Sequence, residues 1–133
     1  MGAYVANQTI RQMNLKGVPV KDARILILGF SFKENCPDIR NTKVVDIYHT
    51  LREYTPNITL YDPWVDPAKA LGEYGIEIEN SKMKIEKSQF DVAILAVAHD
   101  AFLSLDLRAL VPQPGVIYDV KGILPRTIID ARL

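Results

Sequence analysis

Five short segments rich in apolar residues recur along the chain, and their composition predicts β-strands. Residues 25–28 are apolar without interruption, which is typical of a strand buried on both faces of a parallel sheet. The second segment is followed at once by Asp62-Pro63, a pair that stops a strand. The predicted strands cover residues 24–29, 58–61, 76–78, 91–97 and 116–120.

Between these strands, apolar residues return every three or four positions, which predicts amphipathic helices. One helix begins at Asn41 or Thr42, either of which can cap it, and runs to about Tyr54. Glycines after the periodic segments mark two helix ends. The other predicted helices cover residues 1–14, stopped by Lys16-Gly17, then 67–74, stopped by Gly75, then 83–87 and 105–110; the tail from Pro125 is unassigned.

Strands that alternate with crossover helices predict an α/β fold, a three-layer doubly wound and mostly parallel sheet of Rossmann-like type. Ligands bind such sheets at the carboxyl ends of the strands, near the point where the strand order reverses. The sequence therefore places a binding site among four loops, residues 30–41, 62–67, 98–101 and 120–124.

Composition narrows the functional classes. The 133 residues suffice for one domain, and 16 basic residues balance 16 acidic ones, so neither nucleic acid nor an anionic membrane is an expected partner. The lone Cys36 forms no internal disulfide, and the two histidines lack metal-ligand spacing with it. No segment reads as a signal peptide or a membrane span, so we expect a cytoplasmic protein.

The first strand-to-helix loop carries the functional signal. It lacks G-x-G-x-x-G, which disfavours a dinucleotide site here, and Asp62 at the end of the second strand is interpreted as a turn residue. Lys33 and Arg40 flank the next helix N-terminus, an arrangement that suits a diphosphate. The alternative, that Lys33 is solvated and Arg40 pairs with Asp38, is equally compatible with the charge pattern.

Four further side chains could carry chemistry. Cys36 is interpreted as an incidental loop cysteine, and His49 as a solvated residue on a helix surface. His99 ends the fourth strand and could titrate, but a role in structuring its loop is favoured. Trp64 suits either ligand stacking or a domain interface.

Four motifs together resemble the C-terminal domain of the UDP-glucose/GDP-mannose dehydrogenase family, in order and spacing over essentially the whole chain. Residues 1–17 resemble the end of that family's long central helix, and residues 18–133 its UDP-sugar-binding domain. The four motifs are Ile27-Leu-Gly-Phe-Ser-Phe-Lys33, Asp38-Ile-Arg40-Asn-Thr42, Tyr61-Asp-Pro63 and Tyr118-Asp-Val-Lys121.

The resemblance implies a substrate-binding role for five residues, and no catalytic, cofactor-binding or metal-binding residue. Phe32 and Lys33 match the family's pair at the nucleotide, although position alone favours a core role for Phe32 over packing on a base. Asp38 and Arg40 match the family's Asp-x-Arg. Lys121 stands where the family has a basic residue near the phosphates, often Arg, so the charge is kept but bidentate geometry is lost. Asp119 could orient Lys121.

Full-length members of that family oxidise the sugar C6 alcohol to a carboxylate in two NAD-dependent steps, through a catalytic cysteine. The resemblance implies that NAD and the cysteine belong to domains preceding this one, and that this chain alone is inactive. It further implies a UDP-sugar as ligand and a homodimer or larger assembly. The sequence of residues 35–43 resembles that of the branch acting on UDP-N-acetyl-glucosamine or -mannosamine more than that of the UDP-glucose branch. The enzymes of that branch supply uronic acids for capsular polysaccharides.

Two competing functions are less compatible with the sequence. A non-enzymatic doubly wound signalling module of the receiver type needs paired acids after the first strand, where Gly29-Phe30 stands instead. An independent NAD-binding oxidoreductase needs the glycines that the first loop lacks.

Overall fold

The computed structural model describes residues 2–133 and contains a parallel five-stranded sheet with strand order β2-β1-β3-β4-β5. The predicted fold class is confirmed. The strands are β1 (Ile25–Leu28), β2 (Ile58–Tyr61), β3 (Val92–Leu95), β4 (Val116–Asp119) and β5 (Ala131–Arg132). The helices are α1 (Gly2–Lys16), α2 (Val44–Arg52), α3 (Pro67–Tyr74), α4 (Lys82–Glu86) and α5 (Leu107–Leu110), with a 3-10 helix at Asp100–Ser104.

Alternate strand residues feed two separate cores, one on each face of the sheet, because side chains point to opposite faces along a strand. Ile25 and Ile27 pack with apolar residues of α1, α2 and α3. Leu26 and Leu28 pack with those of α4, the 3-10 helix and α5. Both faces are therefore covered, which explains why β1, β3 and β4 are buried throughout.

Helix α1 ends in a Schellman motif. Gly17 has φ 73°, its N–H donates to Asn14 O, and the Val18 N–H donates to Met13 O at 2.8 Å. The predicted stop at Lys16-Gly17 is confirmed, and the helix runs two residues beyond the predicted end. At its other end, Gly2 lies against the first turn of α2, where an added Cβ would be 2.3 Å from the Asp46 Cβ.

Three predicted elements differ from the observed ones, and the tail without an assigned element contains a strand. Residues 76–78 form no strand; only Glu79 bridges to Tyr61, because Ile76 and Ile78 are held by burial rather than by a hydrogen-bonded ladder. The α2 helix begins at Val44, with Lys43 at its N-cap, rather than at Asn41 or Thr42. Of the predicted helix 105–110, only Leu107–Leu110 is helical, as α5 with Asp106 at its N-cap. The tail from Pro125 contains β5.

Asp130 holds the tail against the sheet and the end of α1. Its carboxylate accepts from Lys16 Nζ at 2.7 Å, from Arg108 at 2.9 Å and from the Ile117 N–H at 2.7 Å. Burial acts to raise the pKa of Asp130, but these hydrogen bonds outweigh it and lower the pKa. This side chain therefore places β5 beside β4, although β5 is only two residues long.

Gly29 closes the crevice at the point where the strand order reverses. It follows β1, which lies between β2 and β3, and it has φ 99°. An added Cβ would lie 2.5 Å from the Val97 Cβ, so the chain segments after β1 and β3 can touch only because residue 29 has no side chain.

Gly29→Ala is expected to lower the free energy of unfolding by about 2–4 kcal/mol, because it combines an unfavourable φ with a steric clash. Gly72→Ala is the matched control: Gly72 lies in α3 with open space around it, and alanine there should stabilise by about 0.5–1 kcal/mol. Urea denaturation of both variants measures the two effects. Equal stability of Gly29→Ala and the unmodified chain would contradict the close approach.

Candidate functional site

The ends of four strands lie level at one edge of the sheet, called here the carboxyl edge: the loops that follow Leu28, Tyr61, Leu95 and Asp119. Leu28 is paired with Tyr61 on one side and with Leu95 on the other, and Leu95 is paired with Asp119. Because the strands are parallel and in register, their following loops meet at this edge, as the sequence predicted.

Asp62 is the central buried group of the carboxyl edge. It is fully buried, and its Oδ2 accepts from the N–H groups of Phe30 at 2.7 Å and Ser31 at 3.0 Å. His99 Nε2 lies 2.9 Å from the same oxygen, and the Trp64 N–H donates to Oδ1 at 2.8 Å. Asp62 is therefore more than the turn residue that the sequence suggested, since it joins the loops after β1, β2 and β3.

These bonds keep Asp62 ionised. Burial acts to raise the pKa of this carboxyl, but hydrogen bonds from His99 and from the Phe30 and Ser31 N–H groups outweigh it, so its pKa is lowered. A carboxylate that accepts several directed N–H bonds is stabilised in its charged form even when water is excluded.

The hydrogen bonds of His99 define its tautomer. The Asn35 backbone N–H, which can only donate, lies 2.8 Å from Nδ1, so Nδ1 carries no proton. The proton is on Nε2, which donates to Asp62 and also lies 3.0 Å from Ser31 Oγ. His99 is fully buried and bonds to the backbone of the loop after β1, which agrees with the predicted loop-structuring role.

The Ser31, His99 and Asp62 side chains do not form a nucleophilic triad. Serine and aspartate contact the same imidazole nitrogen, whereas a triad needs them on opposite nitrogens. The Ser31 hydroxyl donates to the Lys33 carbonyl at 2.9 Å and is almost fully buried. This cluster is suited to holding a loop rather than to attacking a substrate.

The loop after β1 folds back on itself. The Phe32 N–H donates to Asp38 O at 2.7 Å, and the Asn35 side chain exchanges two hydrogen bonds with Asp100. Arg40 forms a bidentate pair with Asp38, both distances being 3.0 Å, so the pairing alternative holds for Arg40. The Arg40 side-chain hydrogen bond is the main reason that the pKa of Asp38 falls to about 2.

The five predicted site residues occupy two loops at this edge. Asp38 and Arg40 contact each other, while the Phe32 and Lys33 side chains project into solvent, so the core role favoured for Phe32 is wrong. The Lys33 carbonyl accepts from the Ser31 hydroxyl. Lys121 is exposed on the loop after β4. Since β1 and β4 are two strands apart, the two loops are separated by about 10 Å.

Asp119 shapes the second loop through its backbone. Its carboxylate accepts from the N–H groups of Lys121, Gly122 and Leu124 at 2.8–3.0 Å. It therefore orients the Lys121 main chain, and the suggested pairing with the Lys121 ammonium is not formed.

An apolar cavity of about 210 Å³ opens beside Lys121. Its lining includes Lys43, a candidate site residue that sequence reasoning missed. Lys43 lines the cavity together with Lys121. The sequence signal that could have identified Lys43 is its position immediately before the α2 helix. The remaining lining residues are Gly2, Val5, Val44, Ile47, Ala96, Val120 and Leu133. A larger groove of about 980 Å³ lies at the opposite edge of the sheet, away from all five predicted site residues.

Other chemistries find little support among residues 2–133. No group of three His, Cys, Asp or Glu side chains is placed to hold a metal ion there. Cys36 is half-buried in the loop after β1, without a histidine bonded to it. None of the helices described is both long and apolar enough to cross a membrane.

Comparison with known proteins identifies relatives of the whole chain. The sequence model of the UDP-glucose/GDP-mannose dehydrogenase family, UDP binding domain, matches residues 26–126. The chain is 43% identical to UDP-N-acetyl-D-glucosamine 6-dehydrogenase of Salmonella typhi over 136 residues, which cover 100% of the chain and 31% of that protein. It is 36% identical to Protein CapL of Staphylococcus aureus, over 93% of the chain and 29% of that protein.

Solved structures share the fold. The UDP-D-ManNAc dehydrogenase from Pyrococcus horikoshii superposes with a TM-score of 0.78 at 20% identity, over 98% of this chain and 30% of that one. An NDP-N-acetyl-D-galactosaminuronic acid dehydrogenase from Methanosarcina mazei gives a TM-score of 0.80 at 20% identity, over 93% of this chain and 26% of that one. The chain thus spans about a third of the length of the relatives it matches.

The lowered pKa of Asp62 predicts a specific acid sensitivity. Its folded pKa lies below the ordinary 3.8, so its stabilising contribution is present above that value and is lost as pH falls through the folded pKa. Asp62→Asn should lower the free energy of unfolding at neutral pH by about 3 kcal/mol. In this variant the free energy of unfolding should also fall less steeply as the pH is lowered from roughly 5 to 2.

Denaturant unfolding at a series of pH values measures this, with Asp22→Asn as the control. Asp22 is exposed and its carboxylate has no hydrogen bond within residues 2–133. Part of the dependence of the free energy of unfolding on pH should persist in Asp62→Asn, because the pKa of Asp130 is lowered too. An unchanged pH profile in Asp62→Asn would contradict the assignment.

Proposed function

The chain belongs to the UDP-glucose/GDP-mannose dehydrogenase family, and from that membership we propose that its carboxyl edge binds the nucleotide-sugar substrate of a UDP-sugar 6-dehydrogenase. The site comprises Phe32, Lys33, Asp38, Arg40 and Lys121. Lys43 joins them, because it lines the same cavity as Lys121.

The observation that carries the proposal is the Lys33 ammonium, exposed on a loop whose backbone is held by buried hydrogen bonds to Asp62 and by part-buried ones to Ser31 and His99. Such a cation is available to an incoming anion without first breaking an internal ion pair. With Lys43 and Lys121 exposed at the same edge, the three ammonium groups can share the charge of a diphosphate. Phe32 is 55% exposed and offers an aromatic face beside Lys33 for the nucleoside.

The proposed substrate is UDP-N-acetyl-glucosamine or -mannosamine, oxidised at C6 to the uronic acid for surface polysaccharide synthesis. Support comes from relatives covering the entire chain, those of Salmonella typhi and Pseudomonas aeruginosa, which are named UDP-N-acetyl-D-glucosamine 6-dehydrogenases. The name of Protein CapL supports the link to capsules. The cytoplasmic location stays a prediction.

In this proposal NAD binds to another domain of the enzyme, and the isolated chain is inactive. A dinucleotide needs an open, glycine-lined turn after the first strand. Here Gly29 abuts Val97, and the buried Phe30, Ser31 and His99 occupy the crevice between β1 and β3, so these residues do not fit NAD.

The proposed partners are preceding domains and, in a homodimer or larger assembly, a second subunit. Exposed apolar side chains surround the carboxyl edge, in the loops after β1, β2, β3 and β4: Phe32, Trp64, Leu103 and Ile123. Helix α1 starts at this edge, where Gly2 meets the beginning of α2. These features support the proposal that residues 1–17 are the end of a longer helix that brings the rest of the site close to residues 18–133.

Isothermal titration of the chain with UDP and UDP-N-acetylglucosamine tests the proposed function. Lys33→Ala should weaken binding by about 1.5–3 kcal/mol, roughly tenfold to a hundredfold, through loss of a charge-assisted contact. Lys21→Ala is the matched control, because Lys21 is equally exposed but precedes β1 at the opposite edge. Absence of binding in a folded sample, or equal affinities of the two variants, would refute the assignment.

Arg40→Ala separates ligand contact from loop stability. The Arg40 side chain is 80% exposed and contacts only Asp38 within residues 2–133, so its loss should leave the thermal melting temperature almost unchanged. Binding of UDP-N-acetylglucosamine should nevertheless weaken, and Arg40→Lys should restore only part of it because a bidentate fork is lost. A large fall in melting temperature would instead assign Arg40 to the loop structure.

A further inference from the structure

The buried cluster of Ser31, Asp62 and His99 has no part in the five-residue site above, yet it contacts the loop that carries Phe32 and Lys33. We propose that His99, held by Asp62, is a positioning residue for substrate binding: its neutral, Nε2-protonated imidazole fixes the backbone of residues 30–35. This inference rests on the proposed function for its effect on affinity, but its structural part can be tested without ligand.

The bonds from the cluster bracket Lys33 on both sides. On the N-terminal side, Asp62 accepts the N–H groups of Phe30 and Ser31. On the C-terminal side, His99 Nδ1 accepts the Asn35 N–H. Between them, the Ser31 hydroxyl donates to the Lys33 carbonyl. The main chain at Lys33 is thus fixed although its side chain is free.

A neutral histidine suits this position because its two ring nitrogens act in opposite senses. Nε2 donates towards Asp62, while Nδ1 accepts from Asn35, and the rigid ring sets the distance between them. A proton added to Nδ1 would face the Asn35 N–H donor, so protonation would break that bond and free the loop.

The surroundings of the ring support this coupling. Of the ionisable groups on the elements packed against His99, Asp62 alone bonds to the imidazole. The others are Asp66 after β2, Asp100 on the 3-10 helix, and Lys33, Glu34, Cys36, Asp38 and Arg40 on the loop after β1. The Trp64 and Phe102 rings pack at centroid distances of 6.2 and 5.2 Å and restrict the ring's movement. Movement of the ring is therefore coupled to movement of the loop.

A loop held in advance binds more tightly, because its ordering does not have to be driven by the ligand. With Lys33 on a fixed main chain, only its side chain is immobilised when a diphosphate arrives. Loss of the Asn35 contact should therefore weaken binding through the loop, without removing any group that touches the ligand.

The first experiment uses NMR on the unliganded chain. At neutral pH, long-range ¹H–¹⁵N spectra of His99 should show the proton on Nε2, and the Asn35 amide should be protected from hydrogen exchange. On acidification both signals should change together. A proton on Nδ1, or an Asn35 amide that exchanges freely at neutral pH, would overturn the proposal.

The second experiment measures affinity for UDP-N-acetylglucosamine as a function of pH, since this diester, unlike UDP, has no terminal phosphate to titrate. His99→Asn can present Oδ1 to the Asn35 N–H and cannot be protonated there, whereas His99→Gln keeps a donor near Asp62 but loses that acceptor. His99→Gln should weaken binding roughly tenfold at neutral pH, as expected for one lost hydrogen bond. His99→Asn should bind more tightly than His99→Gln. Unlike the unmodified chain, it should not lose affinity on acidification.

Controls separate the possible failures. His49→Asn should match the unmodified chain at every pH. Ser31→Ala loses the contacts of Oγ with the Lys33 carbonyl and with His99 Nε2, and it replaces the His99 variants should these not fold. Equal affinity and equal pH dependence of His99→Gln and the unmodified chain would overturn the positioning role. If the unmodified chain binds no UDP-sugar, the proposed function fails, while the NMR experiment still decides whether His99 fixes the loop.

Discussion

A single buried carboxylate, that of Asp62, determines how the loops at the carboxyl edge meet. Its two oxygens accept bonds from the loops that follow three different strands, so none of the three can move independently of the others. In water-free surroundings the charge is tolerated only because every donor is directed at it. The same requirement fixes the tautomer of His99 and, through it, the position of Asn35.

Aspartates take the same role elsewhere in the sheet. Asp119 binds three backbone N–H groups of the loop after β4, and Asp130 binds the Ile117 N–H together with Lys16 and Arg108. A Rossmann domain that binds dinucleotides directs such N–H groups at a phosphate instead, which requires glycines. Here internal carboxylates occupy those donors, so a ligand at this edge must be held by side chains, of which Lys33 and Lys121 are exposed.

Local signals explain what the sequence could predict. The first strand was evident because residues 25–28 are apolar without interruption. The ends of α1 and α3 were evident because glycine favours the positive φ that ends a helix, which Gly17 and Gly75 both adopt. The motifs of the family identified the candidate site residues, whose role in binding stays a prediction. The parallel, doubly wound type of the sheet then followed from the alternation of strand and helix, whereas its strand order is a finding of the structure.

Contacts between distant residues explain what the sequence could not predict. Asp62 and His99 are separated by 37 positions, and nothing local in either residue indicates its partner. Strand β5 depends on Asp130 reaching Lys16, which is 114 positions away. Ile76 and Ile78 alternate with acidic residues as a strand would, but the edge beside β2 offers them burial without a continued ladder.

Overall neutrality and an anion site are compatible in this fold because the two signs of charge differ in their exposure. At the carboxyl edge Asp62 and Asp119 are buried and bound to N–H groups, and Asp38 is paired with Arg40. Glu34 and Asp46 remain exposed there, so the long-range field over the edge is weak. Recognition of a diphosphate must then depend on directed short-range contacts from lysines whose positions are fixed, which makes the geometry of the loop after β1 more important than the number of charges around it.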